Sequence, residues 1–196
     1  MKLQPVILAI PQDAPPRSPQ RVRQQRLSAR LALEYCAERC GVTPRAWDTG
    51  RDGVPLPQGG LHWSVSHKRQ WVAAVIAERP VGIDIEHVVP RREQLREALA
   101  DQAEWAVMGE TSWLAFFRLW TAKEATLKAN STGIAGLSEC RLMEACDGRH
   151  MTLRYRGQPW YIEHFQHAEH VAAVTCGLSP VDWCVLDEEA LKSQNV

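Results

Sequence analysis

An aspartate and a glutamate stand one residue apart in Val81-Gly-Ile-Asp-Ile-Glu86, a place in this chain where side chains could do chemistry. Alternate residues of a strand point to opposite faces, so Ile83 and Ile85 enter a core while Asp84 and Glu86 sit together on the other side. Adjacent carboxylates repel, and at least one pKa rises unless a cation holds them. Oxygen ligands of this kind, completed by water and phosphate, suit Mg²⁺. A solvated strand face produces the same pattern. A second group is Trp120-Thr-Ala-Lys-Glu-Ala-Thr-Leu-Lys128. On a helix Glu124 and Lys128 share a face, while Leu119, Trp120 and Leu127 can bury the other. Taken alone the pair is an ordinary surface ion pair worth ~0.3–0.5 kcal/mol.

Two further groups involve histidine. In Leu61-His-Trp-Ser-Val-Ser-His67, Ser64 and Ser66 share one strand face and His67 stands at the strand's end. No G-x-S-x-G elbow is present, so this corner reads as an anion site rather than a nucleophile. In His164-Phe-Gln-His-Ala-Glu-His170 three histidines recur at spacings of three. Zinc could use such spacing, but the segment reads as a loop between two C-terminal strands with solvent-exposed imidazoles. The chain has no Walker loop, G-x-G-x-x-G or H-E-x-x-H.

Positioning these groups requires a recognisable set of elements. A strand at Val6 to Ile10 precedes a proline-rich loop, Pro11 to Pro19. From about Gln20 to Arg39, Leu27, Leu31 and Tyr35, with Ala29, Leu33, Cys36 and Cys40, recur at helical spacing, and Gly41 is a stop. Arg23, Arg26 and Arg30 lie on one side of that helix. Gly- and Pro-rich turns fill Asp48 to Gly60. Strands are predicted at Leu61 to Val65, Trp71 to Ala77 and Val81 to Glu86, then helices at Arg92 to Met108 and Ser112 to Ala129. C-terminal strands are expected around Cys140 to Ala145, Met151 to Arg156, Trp160 to Phe165 and Val171 to Cys176, followed by an acidic tail. A Val-Ala-Ala-Val string begins at Val72 and again at Val171, 99 residues on. That spacing, about half the chain, suggests an α+β unit, helix plus antiparallel strands, used twice.

Composition sets the outer limits. The 196 residues, 45% apolar and 23% charged, describe a soluble globular protein and not a disordered tail, a fibre or a membrane bundle. No run has the length of a membrane span or the flanks of a signal peptide, so the expected location is the cytoplasm. Net charge is zero, but residues 1–80 carry twelve basic and six acidic side chains, and residues 81–196 eleven and seventeen. Opposed halves suit binding a polyanion on one side and a cation on the other. Six cysteines without CxxC or zinc-ligand spacing read as reduced thiols, with no disulfide expected.

Together, Ser-Val-Ser-His67, Gly-Ile-Asp84-Ile-Glu86 and Trp120-Thr-Ala-Lys-Glu124-Ala-Thr-Leu-Lys128-Ala resemble the three motifs of the 4′-phosphopantetheinyl transferases. Their order and approximate spacing are similar to those of the longer, two-halved, surfactin-synthetase-activating type. The resemblance covers about Arg21 to Ala129. It implies a monomeric α+β protein with pseudo-twofold duplication, an N-terminal half at 1–80 and a C-terminal half at 81–196 carrying the metal ligands. It also implies transfer of the phosphopantetheine arm of coenzyme A to a serine of an acyl or peptidyl carrier protein, releasing adenosine 3′,5′-bisphosphate, with no nucleic-acid or membrane partner. By motif position Asp84, Glu86 and Glu124 would ligate Mg²⁺, Lys128 would hold the pyrophosphate, and Ser66 and His67 would line the coenzyme A site, His67 at the 3′-phosphate. Glu124 is the candidate base for the carrier serine, and Arg21 and Arg26 are candidate extra phosphate contacts. One departure stands out: Gly53-Val54-Pro55 has valine where many relatives carry a basic residue, and Arg51 is the nearest substitute. Two other classes remain open from the residues alone: a different Mg²⁺-dependent phosphoryl or nucleotidyl transferase, and a non-catalytic carrier or nucleotide binder. Retention of Asp84, Glu86, Glu124 and Lys128 argues against the second.

Overall fold

Strand alternation and two long helices build this protein in four layers, seen in a computed structural model that describes residues 2–43 and 46–187. Strand β1 (Val6–Ala9) leads to helix α1 (Pro19–Cys40). The Ser18 side chain caps α1 by accepting from the Arg21 N–H, and Gly41 ends it at φ 65°. Strands β2 (His62–Lys68), β3 (Trp71–Ala77) and β4 (Ile83–His87) follow, then helices α2 (Gln94–Leu99), α3 (Gln102–Met108) and α4 (Trp113–Ala129). A 3₁₀ turn at Ile134–Glu139 precedes β5 (Arg141–Ala145), β6 (His150–Tyr155), β7 (Gln158–His167), β8 (His170–Thr175) and β9 (Cys184–Leu186).

The strands form two sheets, ordered β2-β3-β1-β9 and β4-β8-β7-β6-β5. In the first, β1 runs antiparallel to β3 and parallel to β9, so the chain returns at its end to the sheet where it began. The second is antiparallel throughout. Residues 80 and 81 fall between β3 and β4, where the chain changes sheet.

Period-two alternation assigns each strand's two faces. On β3, Val72, Ala74 and Ile76 pack with Leu33 and Cys36 of α1, while Ala73 and Val75 turn inward to meet Ile83, Ile85, Ala172 and Val174 of the second sheet. On β8, Val171 and Ala173 face the other way, into the core built by α4. Both Val-Ala-Ala-Val strings are therefore buried on both faces. The architecture is α+β.

Several expectations change. Leu27 and Leu31 of α1 are 59% and 39% exposed. At 3.6 residues per turn, Leu31 and Leu33 lie about 200° apart, so they cannot both face a sheet. Ala32, Leu33, Cys36 and Ala37 take the buried side. The single helix expected over Arg92 to Met108 is two, because Ala100 is extended and Asp101 starts a new helix by capping the Glu104 N–H. The segment His164 to His170 is not an exposed loop. His164 lies on β7 and His170 on β8, 1% and 4% exposed, and only Ala168 and Glu169 form the turn. The His164 ring nitrogens stand 3.1 and 2.9 Å from the Arg149 and Arg118 carbonyl oxygens. Burial pushes His164 down to about 4. The predicted acidic tail from Glu188 onward lies outside the described residues. Among the described residues no helix is long and apolar enough to cross a membrane.

Candidate functional site

The site lies where an edge of each sheet meets the last two turns of α4. Because Ile83 and Ile85 are drawn into the intersheet core, Asp84 and Glu86 must point the other way. Gly82 lets α4 come close to them. A Cβ there would lie 1.9 Å from the Ala125 carbonyl oxygen and 2.8 Å from the Ala129 nitrogen, both backbone atoms. The glycine of the Gly-Ile-Asp motif is thus a contact residue, a role that sequence reasoning did not assign.

Two elements converge on Asp84 of β4. Lys128 Nζ of α4 stands 2.7 Å from Asp84 Oδ1 and donates to the Ile83 carbonyl at 3.1 Å. From β2, Ser66 Oγ donates to the same Asp84 oxygen at 2.7 Å. Ser64, on the same face of β2, accepts from the Ile83 N–H at 3.2 Å and ties the two sheet edges together. Lys128 therefore pairs with Asp84, not with Glu124 as helix spacing alone suggested. Asp84 is 5% exposed, and its second oxygen, Oδ2, is buried without a hydrogen-bond partner.

Lys68 continues the row of Ser64 and Ser66, and its Nζ lies 2.6 Å from Glu86 Oε2. The same period-two rule that paired the serines could have found it. Burial raises the Glu86 pKa, with nearby Asp84 adding to the shift and Lys68 opposing it. Glu124 is raised too, first by burial and then by the Asp84 charge, against the pull of Lys128. His67, exposed on β2, is lowered by partial desolvation and by the Lys128 charge, with Lys68 and Arg21 acting in the same direction. The three cations that act on His67 make a positive local field there, the environment an anion needs.

Beside this row opens a cavity of about 750 Å³ lined by Arg17, Arg21, Lys68 and Arg69. Arg21 is largely occupied within the fold. Its guanidinium donates to the Pro11 carbonyl at 2.6 Å, to Gln12 Oε1 and to the Arg69 carbonyl, holding the proline loop against the β2–β3 turn. Arg26 is exposed on α1, and Arg51 and Val54 lie in the turn before β2. Past that turn, Pro55, Pro57, Lys128 and Asn130 help line a smaller cleft of about 180 Å³.

The arrangement sets cations that can meet an anion beside carboxylates that can take up a proton. Two lysines face a group of three carboxylates, two of them with raised proton affinity. Among the described residues no three His, Cys, Asp or Glu side chains are arranged to hold a metal ion on their own. Lysines pair with one oxygen each of Asp84 and Glu86, and the buried Asp84 Oδ2 has no hydrogen-bond partner.

The chain is similar to several known proteins. The family model of the 4′-phosphopantetheinyl transferase superfamily matches residues 80–176, from just before β4 through β8. A 4′-phosphopantetheinyl transferase of Bacillus subtilis is 22% identical over 162 residues, 78% of this chain and 70% of that protein. The 4′-phosphopantetheinyl transferase psf-1 of Bacillus pumilus is 32% identical over 115 residues, 55% of this chain and 49% of that protein. The 4′-phosphopantetheinyl transferase gsp of Aneurinibacillus migulanus is 33% identical over 86 residues, and the match spans 36% of its length. The chain belongs to the 4′-phosphopantetheinyl transferase superfamily, a family of enzymes. The matched stretch spans only about half or less of the two more identical relatives.

Proposed function

We propose that this enzyme transfers the 4′-phosphopantetheine arm of coenzyme A to a serine hydroxyl of an apo acyl or peptidyl carrier protein, releasing adenosine 3′,5′-bisphosphate. The observation that carries the reading is the meeting of Asp84, Lys128 and Ser66 at one buried point, with Asp84 Oδ2 left unpaired. The serine oxygen forms a bond to the phosphorus next to pantetheine, the P–O bond to the adenosine phosphate breaks, and the serine proton leaves to a base. Glu124 is that base, directly or through a water, and its raised proton affinity suits the task. Lys128 meets the pyrophosphate oxygens as negative charge grows on the leaving group. His67 receives the 3′-phosphate, supported by the positive field around it and by the basic cavity beside Arg21 and Lys68, with Arg26 as an outer contact.

The donor chemistry suits a hard divalent cation, an unpaired buried carboxylate oxygen with two more carboxylates near it, although these side chains as they stand form no metal cage. Asp84, Glu86 and Glu124 would hold Mg²⁺, which when bound supplies charge neutralisation at the pyrophosphate. We further read the chain as a cytoplasmic monomer whose halves, 1–80 and 81–196, derive from one duplicated unit. Incubation with coenzyme A, Mg²⁺ and a panel of apo carriers, read by intact mass, tests the activity. A mass gain of one phosphopantetheine per carrier is expected. Absence of any gain across fatty-acid, polyketide and peptide carriers, with a control enzyme active on each, overturns it.

A further inference from the structure

Lys123 belongs to the same motif as Glu124, yet no step above uses it, and it is 1% exposed. Its ammonium stands 2.9 Å from Glu104 Oε1 and donates to the Leu99 carbonyl at 2.8 Å. Glu104 is 3% exposed, and its Oε1 also accepts from the Leu142 N–H at 2.8 Å. Its Oε2 lies 3.4 Å from Arg141, which in turn pairs with Asp101, the residue capping α3. One buried ion pair thus ties together the end of α2, the first turn of α3, the start of β5 and the middle of α4.

Such a pair is poorly explained by stability alone. Removing two charges from water costs enough that apolar residues of equal volume often hold a fold as well or better. What a buried pair with every partner in place does supply is a fixed geometry. On α4, Glu124 is one residue round from Lys123, and Lys128 stacks one turn beyond Glu124. Anchoring Lys123 on one flank fixes the rotation and height of the helix, while Gly82 sets its closeness to β4 on the other.

We propose that the Lys123–Glu104 pair is a positioning device that holds Glu124 and Lys128 in register with Asp84, an inference that rests on the transfer reaction above. Lys123→Met alone strands the buried Glu104 charge and can unfold the chain. The informative variant is therefore the double substitution Lys123→Met with Glu104→Gln, which removes both charges and keeps an acceptor for the Leu142 N–H. Its melting temperature should stay close to wild type. Its kcat for carrier modification should fall roughly 10–100-fold through misplacement of the reacting groups, while coenzyme A affinity, supported by phosphate contacts on β2 and α1, changes far less. Amide hydrogen exchange over residues 120–128 should quicken relative to α1. Wild-type kcat or unchanged protection of residues 120–128 in the folded double variant overturns the proposal, as does a kcat loss matched by an equal loss of coenzyme A affinity. Should the double variant not fold, Arg141→Gln at the half-exposed rim of the network carries the test, with a smaller kcat loss expected and wild-type kcat overturning it. If the wild-type enzyme modifies no carrier, the function reading fails by itself, and the exchange measurement still decides the positioning role.

Discussion

Two hairpins of this protein share a Val-Ala-Ala-Val strand and a two-residue turn but not the partners of their outer strands. The β2–β3 hairpin carries His67-Lys-Arg-Gln-Trp-Val-Ala-Ala-Val75, and the β7–β8 hairpin carries His167-Ala-Glu-His-Val-Ala-Ala-Val174. Each turns through two residues, the first at positive φ, 52° for Arg69 and 49° for Ala168. Their tips touch, with Trp71 and His167 edge to face at 4.6 Å. The difference lies in the outer strand. β2 is an edge strand, so Ser66 and Lys68 reach across to the carboxylates of β4, itself the edge of the other sheet. β7 lies between β6 and β8, and its polar residues are consumed by their neighbours, His164 by two carbonyls and Glu163 by Arg149. Position in the sheet, more than local sequence, decides whether a polar side chain is free to meet a ligand.

The sharpest way to break that contrast is at the shared carboxylate. Asp84→Ala should lower carrier modification by on the order of 10³-fold or more, and chelation of divalent cations should do the same. Intact-mass assays with thermal melts as a folding control decide it. Near wild-type turnover would mean that the meeting of the two edges is structural only. Glu124→Gln comes next. It keeps size and loses proton affinity, so single-turnover rates at saturating coenzyme A should fall roughly 10²–10³-fold. A rate within a factor of a few of wild type would remove Glu124 from the proton path.

Much of this site could be read in the chain before its fold was known, and the reasons are local. Trp71–Ala77 matches its predicted strand because alternation needs nothing beyond itself, and Ser112 caps α4 where the pattern placed the helix start. The inward turn of Ile83 and Ile85, which forces Asp84 and Glu86 outward, follows from the same rule. What stayed hidden depended on distant partners. The burial of His164 and His170 is set by α4 and β4 closing over their sheet. The pairing of Lys128 with Asp84 joins residues 44 apart in sequence. The burial of Lys123 could not be read either, because its partner, Glu104, belongs to a helix whose start depends on the break at Ala100. Periodicity reports faces, and only packing reports what meets them.

Between the two hairpins' histidines the expected effects are smaller and separable. His67→Ala should weaken coenzyme A by about tenfold, ~1.4 kcal/mol, while leaving dephospho-coenzyme A nearly untouched. Calorimetry on both ligands measures the difference. Equal losses would return His67 to a structural role and erase the functional distinction between the hairpins.

The least of the predicted effects concerns pH and belongs chiefly to the second hairpin. Burial holds His164 and His170 down to about 4, in each case from an ordinary value near 6.5. His170 faces the His87 ring at 4.8 Å with Arg69 and Glu169 nearby, and His164 faces Arg118, Arg149 and His150. Between pH 6.5 and 4 the unfolded chain binds protons at these positions and the folded chain does not. Stability therefore rises with pH across that window and is lost as pH falls through it, with a slope approaching ~1.4 kcal/mol per unit for each histidine. At pH 5.5 each should have removed about 1 kcal/mol relative to neutrality. Denaturant melts of the wild type at pH 7.5, 6.5 and 5.5 give the slope. His67→Ala should alter it less, because His67 is lowered too but stands exposed on an edge strand, whereas His164→Gln, if folded, should flatten it more. A slope equally sensitive to His67 would show that the fold depends on the edge strand's histidine no less than on the interior one, and the contrast between the hairpins would fail at its simplest point.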